Sequence, residues 1–163
     1  MAFSGRIIQS SVAAATLVVV VAQAPEDYLK QASAMVARHE RDQAMEILDK
    51  GLQAFPHHPD VLTQLGLLLI MTGNLQTGDE LLSRALAIRP LNRRALQGRA
   101  EAKLRQGALS ETTGFFERAL HQRSSDADTR HRLAFTLFAQ GQDQEALVQA
   151  RRAVEQAPLI GDS

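Results

Sequence analysis

The chain lacks several features that would assign it to particular functional classes. It has no Cys among its 163 residues, which excludes thiol catalysis and a disulfide framework. It also has no Trp, a single Tyr and no excess of charge, because 18 Lys and Arg residues balance 18 Asp and Glu residues. Binding to nucleic-acid phosphates needs a surplus of basic residues on one face, so this balance argues against a nucleic-acid partner.

Motifs of the common catalytic and cofactor sites are also missing. The sequence contains no Gly-x-Ser-x-Gly nucleophile motif, no Gly-rich phosphate loop and no His-Glu-x-x-His zinc motif. His57 and His58 are adjacent, but neighbouring loop histidines rarely face one ion, and the sequence places no third ligand beside them. We therefore predict that the protein is not an enzyme and binds neither a metal nor a cofactor.

A long apolar run lies near the N-terminus. Arg6 precedes a mostly apolar stretch over residues 7–21, and Ala22, Gln23 and Ala24 follow that stretch. This order is typical of a secretory signal peptide with an Ala-x-Ala cleavage site. The continuous apolar part is shorter than the roughly 20 residues that span a bilayer as a helix. We predict that residues 1–24 form a signal segment cleaved after Ala24 and that the protein is periplasmic or secreted. The alternative is a membrane tether formed by residues 7–22.

From Pro25 onward the sequence repeats every 34 residues without an insertion. The blocks are 25–58, 59–92, 93–126 and 127–160. Small residues recur at position 8 of each block and again at positions 20 and 27, Gly occupies position 15 in three blocks, and Pro occupies position 32 in three blocks. We number positions within a block in this way throughout.

Each recurring residue type has a structural consequence. Small residues allow two helices to approach closely, Gly forms a left-handed cap at a helix C-terminus, and Pro ends the second helix. Each block is therefore predicted to form a helix, a tight turn and an antiparallel helix. The apolar spacing predicts helices at about 26–38, 41–54, 60–72, 75–88, 94–106, 109–122, 128–140 and 143–156.

These blocks resemble the tetratricopeptide repeat, a 34-residue unit that runs W-x2-L-G-x2-Y, then A-x3-F, then P. The second block follows this scheme with aliphatic residues in place of the aromatic ones, at Leu62, Leu65, Gly66, Leu69, Gly78, Leu82 and Pro90. The resemblance implies an all-α fold over residues 25–163, in which four antiparallel helix pairs stack into a right-handed superhelix after the N-terminal signal segment.

Two cations depart from the repeat scheme. Arg99 and Lys103 stand where the third block should carry the core Leu and Tyr, and like charges one helical turn apart repel by a few tenths of a kcal/mol. In one interpretation their aliphatic stems cover the seam while the charged ends reach water. In the other, the seam opens or takes an acidic partner, and Phe115 and Phe116 fill the space left by the missing core residues.

The resemblance also implies a binding surface. In the family, positions 2, 5, 9 and 12 of the first helices line a concave face on which peptides lie. Position 12 of this stripe is apolar in all four blocks, and apolar residues also occur at positions 5 and 9. Exposed apolar patches mark interaction sites. We predict a partner-binding groove in which arginines set the orientation of the partner. The predicted residues are Leu29, Val36, Leu67, Ile70, Met71, Arg94, Leu104, Arg105, His131, Arg132, Phe135 and Phe138.

The predicted function is that of a protein interaction module. The groove would bind a peptide or amphipathic helix of a protein partner during assembly of a cell-envelope or secretion-type complex. No membrane span is expected once the signal segment is removed. Two alternatives stay open: a groove closed by the chain itself, and a self-associating scaffold that forms a homo-oligomer. The last helix is expected to cap the array by burying Ala146, Ala150, Ala153 and Val154.

Overall fold

The computed structural model describes residues 23–157, and all regular structure within that range is helical. Helices of the same kind begin 34 residues apart, which gives four helix pairs over the described residues. The helices are α1 (Pro25–Ala37), α2 (Arg41–Ala54), α3 (Pro59–Met71), α4 (Leu75–Ile88), α5 (Arg93–Arg105), α6 (Leu109–Gln122), α7 (Ala127–Ala139) and α8 (Asp143–Gln156). The predicted all-α fold is confirmed.

The pairs stack in sequence order. Each odd-numbered helix packs against the even-numbered helix that follows it, and each even-numbered helix packs against the first helix of the next pair. First helices of neighbouring pairs also touch, α1 against α3 and α3 against α5. This stacking aligns the first helices along one side of the array, which is the side of the predicted groove.

The second helix of every pair has the predicted bounds, whereas the first helix begins and ends one residue earlier than predicted. Pro25 and Pro59 occupy the first helical position, where a missing N–H is tolerated because that group has no intrahelical acceptor. In α5 and α7 the start follows directly after a capping residue, since Asn92 and Asp126 each accept a hydrogen bond from a backbone N–H three residues on.

The turns within the pairs share one geometry. Gly73, Gly107 and Gly141 have φ values of 93°, 77° and 76°, in the left-handed region that Gly adopts without steric cost. His39 takes the same role in the first pair at φ 64°. The first turn is therefore built like the others, at the cost of placing a Cβ atom in a left-handed conformation.

The small residues at positions 8 and 20 allow the close helix approach that their pattern predicts. A Cβ atom added to Gly78 would lie 2.6 Å from the Ile70 Cδ1 atom and 2.9 Å from the Gly66 carbonyl oxygen. Ala32, Ala44 and Ala100 are buried at the corresponding places in other pairs. Backbone and side chain thus meet directly where α3 crosses α4, so no larger residue fits there.

Arg99 and Lys103 do not send their charges to water. Their charged ends meet Asp79 of α4, at 2.6 Å from the Arg99 Nε atom and 3.4 Å from the Lys103 Nζ atom, and Asp79 is only 8% exposed. The Arg99 guanidinium also lies 4.6 Å from the centre of the Phe115 ring. The acidic partner of this seam is therefore a residue of the same chain. It is Asp79, at position 21 of the second block, which faces the seam from α4.

Arg130 is a second buried cation, which the sequence pattern did not single out. Arg130 stands at position 4 of the fourth block and is 8% exposed. Leu62 and Leu96, at position 4 of the second and third blocks, are fully buried. Its guanidinium donates to the Gln149 side chain at 2.7 Å, to the Gln156 side chain at 3.1 Å and to the Ser124 carbonyl oxygen at 2.6 Å. Neutral acceptors thus satisfy a cation in a core position.

The last helix does not bury all the residues expected of a cap. Ala146 and Ala153 are buried and Ala150 is half-buried, but Val154 is 76% exposed. The expectation for Val154 was wrong. Its position in the second helix faces the next helix pair, and no such pair follows among the described residues.

Most of the predicted signal segment, residues 1–22, and the last six residues, 158–163, lie outside the described part of the chain. The cleaved signal peptide and the membrane tether therefore both remain predictions. Across residues 23–157, none of the helices combines the length and the apolar character needed to cross a membrane.

Candidate partner-binding groove

A groove with a volume of about 460 Å³ runs across the first helices of all four pairs. Seven of the predicted residues line it: Val36, Leu67, Ile70, Met71, Arg94, Arg105 and Arg132. They come from α1, α3, α5 and α7, up to 96 residues apart in sequence, and the stacking of the pairs brings them to one surface.

The other five predicted residues lie outside the lining of this groove. Leu29 packs partly buried against the core and Leu104 is half-buried, whereas His131 is exposed on α7. Phe135 and Phe138 are 59% and 65% exposed. These two side chains lie on α7, the first helix of the last described pair, and no further described pair covers them.

Ile70 lines the groove with little of its surface, because its side chain belongs to the core. It is 2% exposed, and it packs where a Cβ atom of Gly78 would otherwise lie. Its neighbour Met71 takes the accessible place at 54% exposure. The prediction of Ile70 as a partner contact is corrected: this residue supports the groove from beneath.

The arginines of the groove are held by carboxylates and amides of the first helices. Glu101 bridges two of them, at 2.6 Å from the Arg105 Nε atom and 2.7 Å from the Arg132 Nη1 atom. Arg132 also meets Asp128 at 3.1 Å, and Arg94 donates to the Gln64 side chain at 3.3 Å. Each arginine is thus oriented before any partner arrives.

Arg105 additionally ties two helix pairs together. Its Nη1 atom donates to the backbone carbonyl oxygen of Ile70 at 3.0 Å. That carbonyl lies in the last turn of α3, where helix carbonyl groups lack an intrahelical partner. The arginine therefore caps α3 from the following pair, and it still exposes 44% of its side chain to solvent.

The predicted groove residues do not include Glu101, Asp128, Gln64 and Gln97, although Glu101 and Gln97 stand at positions 9 and 5 of the predicted stripe. One signal could have found Glu101, since it lies four residues before Arg105, a spacing at which opposite charges pair on a helix. The contact to Arg132 follows a second regularity. Position 9 of one block meets position 6 of the next, both in this ion pair and where Leu67 packs against Gly98.

A polar cluster fixes α7 against α5 at the edge of the groove. Asp126 accepts hydrogen bonds from Arg93 and Gln97 of α5 and from the backbone of Thr129, and Gln97 also bonds the Thr129 hydroxyl. Burial acts to raise the pKa of Asp126, but the bonds from Thr129 and Arg93 outweigh it and hold the pKa below its ordinary value. The carboxylate is therefore ionised and anchors the start of α7.

The two ends of the groove differ in character. Val36, Leu67 and Met71 make the end at α1 and α3 apolar, with Val36 37% exposed. Arg105, Glu101 and Arg132 make the end at α5 and α7 charged, and both arginines remain nearly half exposed. The groove thus has one apolar end and one charged end.

The charged side chains that line the groove are arginines and carboxylates, and most of them are joined in ion pairs. Residues 23–157 contain no group of three or more His, Asp or Glu side chains arranged to hold a metal ion. His57 is exposed and His58 half-buried at the start of α3, and neither contacts the groove.

Comparisons with known proteins agree with this architecture. The tetratricopeptide repeat family matches residues 35–102. MamA from Desulfovibrio magneticus RS-1 superposes with a TM-score of 0.74 at 17% identity, over 82% of this chain and 75% of that chain. MamA of AMB-1 superposes with a TM-score of 0.72 at 24% identity, over 82% of this chain and 79% of that chain. At these identities the likeness shows the fold alone.

A curated relative matches part of the chain. The protein adenylyltransferase Fic of Nematostella vectensis is 36% identical over 74 residues, which is 45% of this chain and 17% of that protein. The chain thus corresponds to a small part of that enzyme, and its catalytic activity does not transfer through the match.

Proposed function

Because the chain is a tetratricopeptide repeat protein, we propose that it is a non-catalytic adaptor that holds a segment of a partner protein in its groove. The fold is a protein interaction fold. The observation that carries the proposal is the accessible apolar surface of Val36 and Met71, set beside two arginines that are preoriented and half exposed. Exposed apolar side chains that are grouped beside polar residues are typical of interaction sites.

The character of the groove supports an amphipathic helix or an extended amphipathic peptide as the occupant. Its apolar residues would pack against Val36, Leu67 and Met71, and burial of one such side chain stabilises a complex by about 1.5–3 kcal/mol. Its acidic or hydroxyl groups would contact Arg105 and Arg132, which are held in place by Glu101 and so lose little freedom on binding.

The proposal is tested by changing the accessible apolar residues of the groove. Val36→Glu with Met71→Glu should lower partner capture at least about tenfold, because it removes two apolar contacts and introduces two charges. Both residues are exposed, so helical circular dichroism should not change. A photoreactive residue at Leu67 would identify the captured partner, whose affinity is then measured by titration.

The matched control is Ile88→Glu with Leu91→Glu, which places the same two charges on side chains that are 44% and 63% exposed, at the end of α4 and in the loop that follows it. This control should bind as the unchanged protein does. Equal capture by the groove variant and the control would contradict the groove assignment. Ile70 is unsuitable for this purpose, because a charge there would disturb the core.

We further propose that the adaptor acts outside the cytoplasm, in a cell-envelope or secretion-type complex. The support is the order of Arg6, the apolar stretch over residues 7–21 and the Ala-x-Ala sequence, together with a fold that needs no disulfide. Mass measurement of the native protein after cell fractionation tests this. A mature chain that starts at Pro25 in the soluble envelope fraction is expected. An intact N-terminus in the membrane fraction would indicate the tether instead.

A further inference from the structure

The last helix pair exposes the residues that other pairs use for stacking. We call the surface formed by Phe135, Leu147, Ala150 and Val154 the end face. These residues stand at positions 9, 21, 24 and 28 of their block. Phe135, Leu147 and Val154 are 59%, 52% and 76% exposed, and Ala150 is half-buried. The end face is separate from the groove of the proposed function, because none of these residues lines that groove.

The same positions are interfaces elsewhere in the array. Leu86 and Leu120, which correspond to Val154, are 7% and 8% exposed. Asp79, which corresponds to Leu147, contacts Arg99 and Lys103 of the following pair. Leu67 corresponds to Phe135, and it packs against Gly98 of the following pair. The residues of the end face therefore stand at positions that form the interface between repeats elsewhere in the array. Among the described residues, no helix covers them.

The opposite end of the array does not complement the end face. The surface of α1 that would meet a preceding pair carries Asp27, Lys30, Gln31 and Ala34, which are all exposed, beside the half-buried Met35. Stacking this surface on the end face would bury two charged side chains against Phe135 and Val154 without partners, which is unfavourable. Head-to-tail association of two copies is thereby disfavoured.

The end face is instead complementary to itself. Ala150 lies between Leu147, about one helical turn before it, and Val154, about one turn after it. When two α8 helices pack antiparallel about a two-fold axis at the small Ala150 side chain, Leu147 of each copy meets Val154 of the other. Such an isologous contact closes on itself and stops at two copies. We propose that the protein forms a two-fold symmetric dimer through its end face.

Sedimentation of the full chain over a concentration series tests the dimer. The unchanged protein should pass from the mass of one copy to that of two as its concentration rises. Leu147→Glu with Val154→Glu should raise the dissociation constant by more than about a hundredfold. The interface is two-fold symmetric, so the two substitutions remove four apolar side chains from each dimer. Both residues are exposed in the monomer, so helical circular dichroism should stay unchanged. Ile88→Glu with Leu91→Glu, two exposed residues away from the end face, serves as the charge-matched control and should dimerise normally.

The absence of cysteine permits a second, geometric test. Ala150→Cys places the single thiol of the chain at the proposed axis, so mild oxidation should link two copies, since a disulfide needs Cα atoms within about 7 Å. Ala34→Cys, on the opposite end of the array, should not crosslink with itself. A mixture of the two variants should not give a linked pair of the two different chains.

Three outcomes would overturn the proposal. The first is an unchanged protein that stays monomeric throughout the series, which would leave residues 158–163 or a different protein as the occupant of the end face. The second is association that the double substitution does not weaken. The third is a crosslink between Ala34→Cys and Ala150→Cys, which would establish head-to-tail stacking.

Discussion

Asp79 compensates the charges of Arg99 and Lys103, two neighbouring cations that would otherwise repel each other. Arg99 and Lys103 occupy positions that are leucine in the second and fourth blocks, and both side chains are about four-fifths buried. Two cations at that depth are tolerated because one buried carboxylate lies between them and the Phe115 ring faces the guanidinium. Buried ion pairs of this kind seldom add stability over well-packed apolar residues, but losing one partner is costly.

Removing the carboxylate should therefore destabilise the protein strongly. Asp79→Met, which copies Met45 at the same position of the first block, should lower the free energy of unfolding by about 3 kcal/mol. The triple variant Asp79→Met with Arg99→Leu and Lys103→Leu should recover that loss, because it restores an apolar seam. Urea unfolding followed by circular dichroism measures both. A single variant as stable as the unchanged protein would refute the role given to Asp79.

At the scale of helices, α3 and α4 cross in close contact. Gly66 and Gly78 face each other there, and a Cβ atom on Gly66 would lie 2.8 Å from the Leu82 Cγ atom and 3.1 Å from the Gly78 carbonyl oxygen. Glycine weakens a helix by about 1 kcal/mol relative to alanine. Gly66 and Gly78 therefore lower the helix propensity of α3 and α4, but they allow the two helices to approach closely. Gly114 of α6 makes no such contact, since a Cβ atom there would have no neighbour within 4 Å.

The same substitution should therefore act in opposite directions in α4 and α6. Gly114→Ala should raise the free energy of unfolding by up to about 1 kcal/mol through helix propensity alone. Gly78→Ala should lower it by about 1–3 kcal/mol, because the added methyl overpacks the crossing against Ile70 and a backbone carbonyl. Urea titration of the two variants side by side provides the comparison. A stabilised Gly78→Ala protein would mean that the helices separate at little cost.

Across the whole molecule, burial is concentrated in the second helix pair. α3 has eight buried residues and α4 has six, whereas α1 has one and α8 has two. In a linear array each pair contacts only its neighbours, so an end pair loses one interface. Local opening free energies follow the number of buried contacts, and the ends of the array should open first.

Hydrogen exchange should follow this gradient. Amide groups of α3 and α4 should exchange most slowly, and those of α1 and α8 fastest, when exchange is followed by mass spectrometry at low protein concentration. Raising the concentration should slow exchange in α8 but not in α1, since the end face lies on α7 and α8 and not on α1. Equal protection in all eight described helices would show that the array unfolds as one cooperative unit.

The sequence by itself determined the repeat, the turns and the helix bounds to within one residue, because these depend on local rules. Apolar residues recur at helical spacing, Gly73, Gly107 and Gly141 reverse the chain, and Pro59 starts a helix. It also identified seven of the residues that line the groove.

Only the tertiary structure decided how those residues are used. In the structure Ile70 is buried, Val154 is exposed, Asp79 pairs with Arg99, and Arg105 caps α3. The contacts of Asp79 and Arg105 join groups 20 or more residues apart, the exposure of Val154 depends on whether a neighbouring pair is present, and the burial of Ile70 depends on how α3 crosses α4. They follow from the angle and distance at which one pair stacks on the next, and the spacing of residues along a single helix does not encode those quantities.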